Sequence, residues 1–184
     1  MASILAVLGL VVVRPVLADA LDGQFEVSSA FININSGVFL LNADVRYPIN
    51  EEIRSALADG VTVDFELQVA VFRERRYWLD ADVVDVTLRR QLTFHSVSGR
   101  YIVKEAGSDD QSSYPTVDAA LAEIGKIEGW PILTQPQLNA DGRYRVAVRA
   151  AVRRGKLNDA LRAILFWTND WQRSSDWYEW SLLR

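Results

Sequence analysis

The sequence contains no cysteine and a single histidine, His95. The absence of cysteine excludes disulfides, thiol catalysis, thiolate metal sites and the lipid-bearing cysteine of bacterial lipoproteins. One histidine is too few for a histidine-rich zinc site. The chain also lacks the G-x-S-x-G, glycine-rich phosphate-loop and H-E-x-x-H motifs. The sequence therefore predicts no metal and no cofactor, although two carboxylates from distant strands could still form an acidic catalytic pair.

Positive charge is not in excess either. The formal net charge of the chain is −4, which argues against a general affinity for nucleic acid or anionic lipid. The chain has 184 residues, 49% of them hydrophobic. This length and composition suit one globular domain that buries about two-thirds of its surface on folding.

The first residues of the chain are typical of a secretory signal peptide. Residues 4–13 are uncharged, and small residues follow at signal-peptidase spacing, at Ala18 and Ala20. The apolar run is too short to cross a membrane as a helix. No basic residue precedes it and an Arg-Pro pair follows it, so a buried N-terminal strand or helix is the alternative. We predict that residues 1–20 are removed, after Ala18 or Ala20, which leaves 21–184 as a single β-rich domain in the periplasm.

Alternation of apolar and polar residues predicts strands along most of the chain. The clearest strand is 61–73, where the odd-numbered residues up to Val71 are apolar and Thr62, Asp64, Glu66 and Gln68 point to the polar side. Further strands are predicted at 25–35, 38–47, 83–95, 100–104, 143–153 and 176–183, and short helices at 51–58 and 117–124.

Three local features interrupt this pattern. Arg90 lies on the apolar face of the strand 83–95 and predicts a bulge or a strand end there. Residues 107–115 are polar and predict a loop, and two X-Pro pairs break up the stretch after 125. Many strands with only two short helices predict a mainly β fold, because a parallel α/β sheet needs regular intervening helices. We expect an antiparallel β-sandwich, Ig-like in type, or an open barrel.

The middle of the chain resembles a known family. The resemblance rests on Tyr-Trp-x-Asp at 77–80, Arg-Arg-x-Leu-x-Phe-His at 89–95, Arg-Tyr at 100–101, Arg-Tyr-x-Val at 143–146 and the aromatic tail at 171–180. In these motifs the chain is similar to a proteobacterial family catalogued as domain of unknown function 4390. The resemblance implies an exported protein of no assigned activity, with a membrane sensor kinase as a potential partner.

The stretch 73–80 places three arginines beside two aromatic residues. Its members are Arg73, Arg75, Arg76, Tyr77 and Trp78, followed by Asp80. Arginine forks match carboxylates and phosphates, and arginine with tyrosine and tryptophan is enriched where proteins bind partners. The alternative is structural: Arg76 would pair with Asp80 or Asp82, and Trp78 would close one end of the sandwich.

The alternation of the strand 61–73 bears on these arginines. Continued, it would send Arg73 and Arg75 toward the core, where an unpaired charge is not tolerated. We therefore expect the strand to end or bulge near Phe72 or Arg73, with the arginine heads at the rim of the sandwich. Replacing Trp78 by alanine should cost about 3–5 kcal/mol if that side chain is fully buried. Replacing an exposed Arg75 should cost under about 0.5 kcal/mol.

The remaining candidates have simpler structural explanations. His95 is a potential general base, but no serine or aspartate partner is recognisable by spacing, so a structural role is favoured. Asp80, Asp82 and Asp85 are potential Ca²⁺ or Mg²⁺ ligands, but the glycine and distal glutamate of a calcium loop are missing, and a solvated strand entry is favoured.

The strand 143–153 carries a row of arginines on its polar face: Arg143, Arg145, Arg149 and Arg153. We expect acidic residues on neighbouring strands, Asp64, Glu66 and Asp85, to neutralise this row through cross-strand pairs. The tryptophans could stack on sugars or bases, but packing at the core and its edges is favoured.

Together these features predict an exported, non-catalytic binding or interaction module. Its contact surface would comprise Arg73, Arg75, Arg76, Tyr77, Trp78, Asp80 and His95, and its partner would be a protein or an envelope component. The alternative is an envelope hydrolase that uses acidic residues on a glycan or an ester.

Overall fold

A computed structural model describes residues 25–47, 49, 51–75, 79–155 and 172–182. These ranges contain strands β1 (Glu26–Asn35), β2 (Val38–Arg46), β3 (Val63–Glu74), β4 (Ala81–His95), β5 (Arg100–Glu105), β6 (Gln111–Tyr114), β7 (Lys126–Thr134), β8 (Arg143–Arg154), β9 (Gln172–Ser174) and β10 (Tyr178–Ser181). They also contain helices α1 (Glu51–Ala58) and α2 (Val117–Gly125) and a 3₁₀ turn at Gln135–Gln137. None of the described helices is long and apolar enough to cross a membrane.

The strands form two sheets. The smaller sheet has the order β1-β2-β7, and the larger has the order β10-β8-β3-β4-β5-β6, with β9 also paired to β8. All of these pairs are antiparallel. The apolar faces of the two sheets and the two helices enclose one core. The mainly β, antiparallel fold with two helices is confirmed, and of the two predicted architectures the structure matches the sandwich.

The end of α1 and the start of α2 coincide with residues that favour helix boundaries. Helix α1 has the predicted bounds, and Gly60 follows it with φ of 80°, a left-handed conformation that glycine adopts at helix ends without strain. Helix α2 begins after Thr116, whose hydroxyl accepts a hydrogen bond of 3.2 Å from the backbone N–H of Ala119.

Strand β3 is the centre of the larger sheet and is buried on both faces. Its odd-numbered side chains from Val63 to Val71 are apolar and almost fully buried in the core, as predicted. Asp64 and Glu66 lie on the opposite, polar face, as predicted, but this face is not open to solvent, since only 5% and 3% of these residues is exposed. The polar face of β3 must therefore be covered by other side chains.

Arginines from the two neighbouring strands cover this polar face. Arg89 Nε on β4 lies 2.7 Å from Glu66 Oε1, and Arg153 Nη2 on β8 lies 2.6 Å from the same oxygen. Arg153 Nε lies 3.7 Å from Asp64 Oδ2, while the Gln91 side-chain amide donates to Asp64 Oδ1 at 2.9 Å. The cross-strand neutralisation predicted for Arg153 is confirmed. It also explains how two carboxylates can be buried, because buried charges require both partners and hydrogen bonds.

Arg90 does not interrupt β4, so the bulge or strand end predicted there is wrong. The strand keeps its pairing with β3 and β5 through this residue. Arg90 Nη1 instead donates to the backbone carbonyls of Glu123, Ile124 and Lys126 at 2.8, 3.2 and 3.0 Å. These carbonyls lie at the C-terminal end of α2, which is left without intrahelical donors and favours a cation. The charge on the apolar face of β4 therefore binds α2 to the sheet.

Two stretches predicted as irregular are edge strands. Residues Gln111–Tyr114 form β6, which pairs with β5 inside the predicted polar loop. Its side chains are mostly exposed, so no apolar alternation marks it in the sequence. Residues Lys126–Thr134 form β7, which contains Pro131. Proline is tolerated there because, within the described residues, β7 pairs with β2 only.

The end of β3 departs from regular pairing, as the alternation predicts. The register between β3 and β4 shifts between Val71 and Phe72. After this irregularity β3 continues to Glu74, pairing with the first residues of β8. Arg73 is half-buried and Arg75 is exposed. The irregularity therefore keeps both arginines at the rim of the core.

Candidate functional site

An open cleft of about 820 Å³ lies where β3 ends and β8 begins. Three pieces of chain line it: residues 73–75, the turn 139–142 and Arg143. In the antiparallel register of the two strands, Glu74 lies opposite Arg143 and Arg73 lies opposite Tyr144. The β3–β8 pairing therefore brings together charged residues that are about 70 positions apart in the sequence.

The turn 139–142 is fixed to the core by one tyrosine. Tyr144 is 3% exposed, and its hydroxyl accepts a hydrogen bond of 2.7 Å from the backbone N–H of Asn139. The backbone N–H of Gly142 donates to the carbonyl of Asn139 at 3.1 Å, which closes the turn. A Cβ atom at Gly142 would lie only 2.7 Å from Cε2 of the Tyr144 ring. Glycine is needed here because of this close approach, and the wall of the cleft is tied to the core by the hydrogen bond to Tyr144.

The charged side chains of the cleft lack the partners that Glu66, Arg89, Arg145 and Arg153 have elsewhere in the larger sheet. Within the described part of the chain, the guanidinium groups of Arg73, Arg75 and Arg143 form no ion pair, hydrogen bond or aromatic contact. The carboxylates of Glu74 and Asp141 form no ion pair there either. Five charged groups of both signs thus surround the cleft without neutralising one another.

Beside the cleft, Arg145 has three partners. Its Nη1 lies 2.6 Å from Glu179 Oε2 and its Nη2 lies 2.9 Å from Asp80 Oδ2. Its guanidinium also sits 5.2 Å from the centre of the Phe72 ring. The hydrogen bond to Glu179, and then the one to Asp80, raise the pKa of the Arg145 guanidinium. Asp80 Oδ1 accepts a 3.4 Å hydrogen bond from the backbone N–H of Arg75, so Arg145 and Asp80 anchor the chain segment that carries Arg75.

A family model described as a domain of unknown function, DUF4390, matches residues 22–181. The chain belongs to the DUF4390 family. No curated protein and no solved structure is significantly similar to it. The matched range includes both sheets and every residue of the cleft, so the cleft is part of the DUF4390 domain itself.

In the DUF4390 domain, only some residues of the predicted contact surface lie close together. Arg73 and Arg75 both line the cleft, and Asp80 lies beside it on Arg145. The pairing of Asp80 with Arg76, and the roles of Tyr77 and Trp78, concern residues 76–78, which lie outside the described residues. Those assignments stay predictions.

His95 lies far from the cleft. It ends β4, whereas Asp80 directly precedes that strand. Because β4 has 15 residues, its two ends lie roughly 45 Å apart at about 3.3 Å per residue. The partner that spacing failed to reveal is Ser98: its Oγ lies 2.8 Å from His95 Nδ1, and its backbone N–H lies 3.3 Å from the same nitrogen. The imidazole therefore closes the exposed turn after β4, in keeping with a structural role. His95 therefore lies apart from Arg73, Arg75 and Asp80, the other predicted contact residues that the structure describes.

The acidic residues at the start of β4 show no ligand geometry. Asp82 and Asp85 are exposed, while Asp80 is bound to Arg145. Among the residues that the structure describes, no group of three or more histidine, aspartate and glutamate side chains is arranged to hold a metal ion.

Of the arginines on β8, Arg149 donates to the Gln68 side chain at 2.8 Å and stacks over Trp177, 4.5 Å from its ring centre.

Sequence reasoning missed Glu74, Asp141 and the position of Arg143 in the cleft. The sequence does show Arg143 as one of four arginines on a strand and Asp141-Gly142 as a turn. It does not show that Arg143 lies opposite Glu74, since that depends on the register between distant strands. It also does not show which of the four arginines finds a carboxylate.

Proposed function

We propose that this DUF4390 protein is an exported, non-catalytic module that binds an anionic ligand, or an acidic segment of a partner, in the cleft at the end of β3. One observation carries the proposal: Arg73, Arg75 and Arg143 line an open cleft and have no partner within the described residues. Guanidinium groups bind carboxylates and phosphates through paired hydrogen bonds. The cleft volume also falls in the usual range for ligand sites, about 300–1,000 Å³.

The location of the protein is part of the proposal. The uncharged run 4–13 and the small residues Ala18 and Ala20 support export to the periplasm and cleavage of the leader. The ligand would then be a component of the envelope or a periplasmic protein. A membrane sensor kinase is a partner of this kind, and its inclusion rests on the family resemblance alone.

Affinity capture from periplasmic extract tests the proposal. The bait is the mature protein, compared with a cleft variant, Arg73→Gln/Arg75→Gln/Arg143→Gln. The matched control removes three positive charges elsewhere, Arg46→Gln/Arg54→Gln/Lys104→Gln. We expect one component to be retained by the wild type and the control and to fall at least about tenfold with the cleft variant, the effect of losing roughly 1.4 kcal/mol. Equal recovery by all three baits, or none above background at several salt concentrations, would contradict the proposal.

A second candidate is an envelope hydrolase acting on a glycan or an ester. Its support is that two carboxylates, Glu74 and Asp141, line the same cleft, as an acid–base pair must. The captured component distinguishes the two functions. A binding module leaves it chemically unchanged, whereas a hydrolase releases a product that the Glu74→Gln/Asp141→Asn variant does not form.

A further inference from the structure

The charges of the cleft indicate more than a simple anion site. Three arginines and two acidic residues line it, so the lining residues have a formal net charge of +1 in a chain whose net charge is −4. A site that bound only anions would be weakened by Glu74 and Asp141, because like charges repel the ligand. Neither carboxylate is neutralised by an ion pair with a described residue.

We infer that the cleft binds an acidic zwitterion: an amino acid or short peptide with at least two carboxylates and one ammonium group. This inference rests on the proposed function and names its ligand class. The arginines Arg73, Arg75 and Arg143 match the carboxylates, since each guanidinium presents a planar fork of donors. Glu74 and Asp141 match the ammonium group, which has three donors and no acceptor, like a lysine head.

The architecture of the cleft supports a small, oriented ligand. The residues of both signs come from the ends of paired strands and from one short turn, and that turn is fixed by the hydrogen bond from Asn139 to the buried Tyr144. The segment carrying Arg75 is likewise held by Asp80, which Arg145 binds in turn. Rigid placement of both sets of charges lowers the entropy lost on binding and discriminates ligands by the spacing of their own charges.

Calorimetric titration of the mature protein with three probes tests the inference. Alanyl-glutamate has two carboxylates and one ammonium group, N-acetyl-alanyl-glutamate lacks the ammonium group, and alanyl-glutamine lacks one carboxylate. We expect alanyl-glutamate to bind and each altered probe to bind about tenfold more weakly, the loss typical of one charged contact. In the Glu74→Gln/Asp141→Asn variant, N-acetylation should no longer matter. A matched variant at the far edge of the larger sheet, between β5 and β6, is Asp109→Asn/Asp110→Asn, which should keep the wild-type preference.

The outcomes separate this inference from the proposed function. If N-acetyl-alanyl-glutamate binds as tightly as alanyl-glutamate, and binding is lost in Arg73→Gln/Arg75→Gln/Arg143→Gln, the cleft is a plain anion site. The inference is then overturned and the proposed function stands. If none of the probes binds at millimolar concentration, the inference is overturned, and affinity capture judges the proposed function independently.

Discussion

The two ends of the β3–β8 strand pair differ in whether their charged side chains form ion pairs. At one end, Glu66 is 3% exposed and is held by Arg89 and Arg153. At the other end, Arg73 and Arg143 border an open cleft and have no ion pair within the described residues. The same residue types on the same two strands are therefore mutually satisfied at one end and unsatisfied at the other.

This difference separates arginines that support the fold from arginines that are available to a ligand. A buried carboxylate is tolerated only when cations and hydrogen bonds compensate for lost hydration, so Arg89 and Arg153 are required for stability. Exposed arginines without partners contribute little to stability and retain their donors for another molecule.

Removing the arginines at the paired end should destabilise the protein most. The variant Arg89→Met/Arg153→Met leaves the Glu66 carboxylate, whose side chain is 4% exposed, without a cation. We expect the free energy of unfolding to fall by about 3–5 kcal/mol, as when a buried ion pair loses one partner. Urea denaturation measures this loss. The matched variant Arg73→Met/Arg75→Met should cost less than about 1 kcal/mol, and equal losses would abolish the distinction between the two ends.

Arg90 provides an intermediate case, since it is satisfied by backbone carbonyls. Its side chain is 18% exposed, and Arg90→Met would leave the three carbonyls at the end of α2 without their charged donor. We expect a loss of about 1.5–3 kcal/mol, typical of hydrogen bonds to a charged group. Amide hydrogen exchange should show the change concentrated in α2. In the control Arg46→Met, which removes a 60% exposed side chain, protection of α2 should be unchanged.

Gly142 tests whether the wall of the cleft is rigid. The Cβ of Gly142→Ala would meet the buried Tyr144 ring, and we expect a loss of about 1–2 kcal/mol, in the lower part of the range for overpacking. The same variant should weaken capture of the cleft's ligand. Combining it with Tyr144→Leu, which removes the ring, should cost less than the sum of the two single losses. Strict additivity would show that the contact is not responsible.

The smallest effect on stability is expected at Asp80. Its side chain is 32% exposed, so Asp80→Ala should cost about 1 kcal/mol or less. Because Asp80 also accepts the backbone N–H of Arg75, and alanine has no acceptor, the same variant should lower the affinity of the cleft measurably. Glu179→Ala removes the other carboxylate partner of Arg145 and serves as the control. If Glu179→Ala weakens ligand binding as much as Asp80→Ala, Asp80 has no separate role in placing Arg75.

The regular elements could largely be predicted from the sequence, because they depend on local periodicity. The alternation of β3 and the bounds of α1 are confirmed, and so is the irregularity near Phe72, which follows from the cost of burying a charge. Strands β6 and β7 could not be predicted, since a polar edge strand and a strand containing proline have no apolar alternation.

The candidate site could be predicted only in part. Arg73 and Arg75 stand out in the sequence, but their neighbours in the cleft come from another strand and its turn. The burial of Asp64 and Glu66, and the capping of α2 by Arg90, are equally long-range. Asp64 and Glu66 lie on a face that the sequence predicts to be polar, and Arg90 lies on one that it predicts to be apolar. In each case the partner is distant in sequence and is brought near only by the pairing and packing of the strands.

The central claim is that the cleft arginines receive a ligand whereas the paired arginines do not. The most direct test is an NMR titration of arginine side-chain Nε–Hε resonances with citrate, a polycarboxylate probe. We predict that the resonances of Arg73, Arg75 and Arg143 shift together along one saturable curve, while those of Arg89 and Arg153 stay in place. Uniform small shifts over all arginines, or shifts confined to Arg89 and Arg153, would contradict this account.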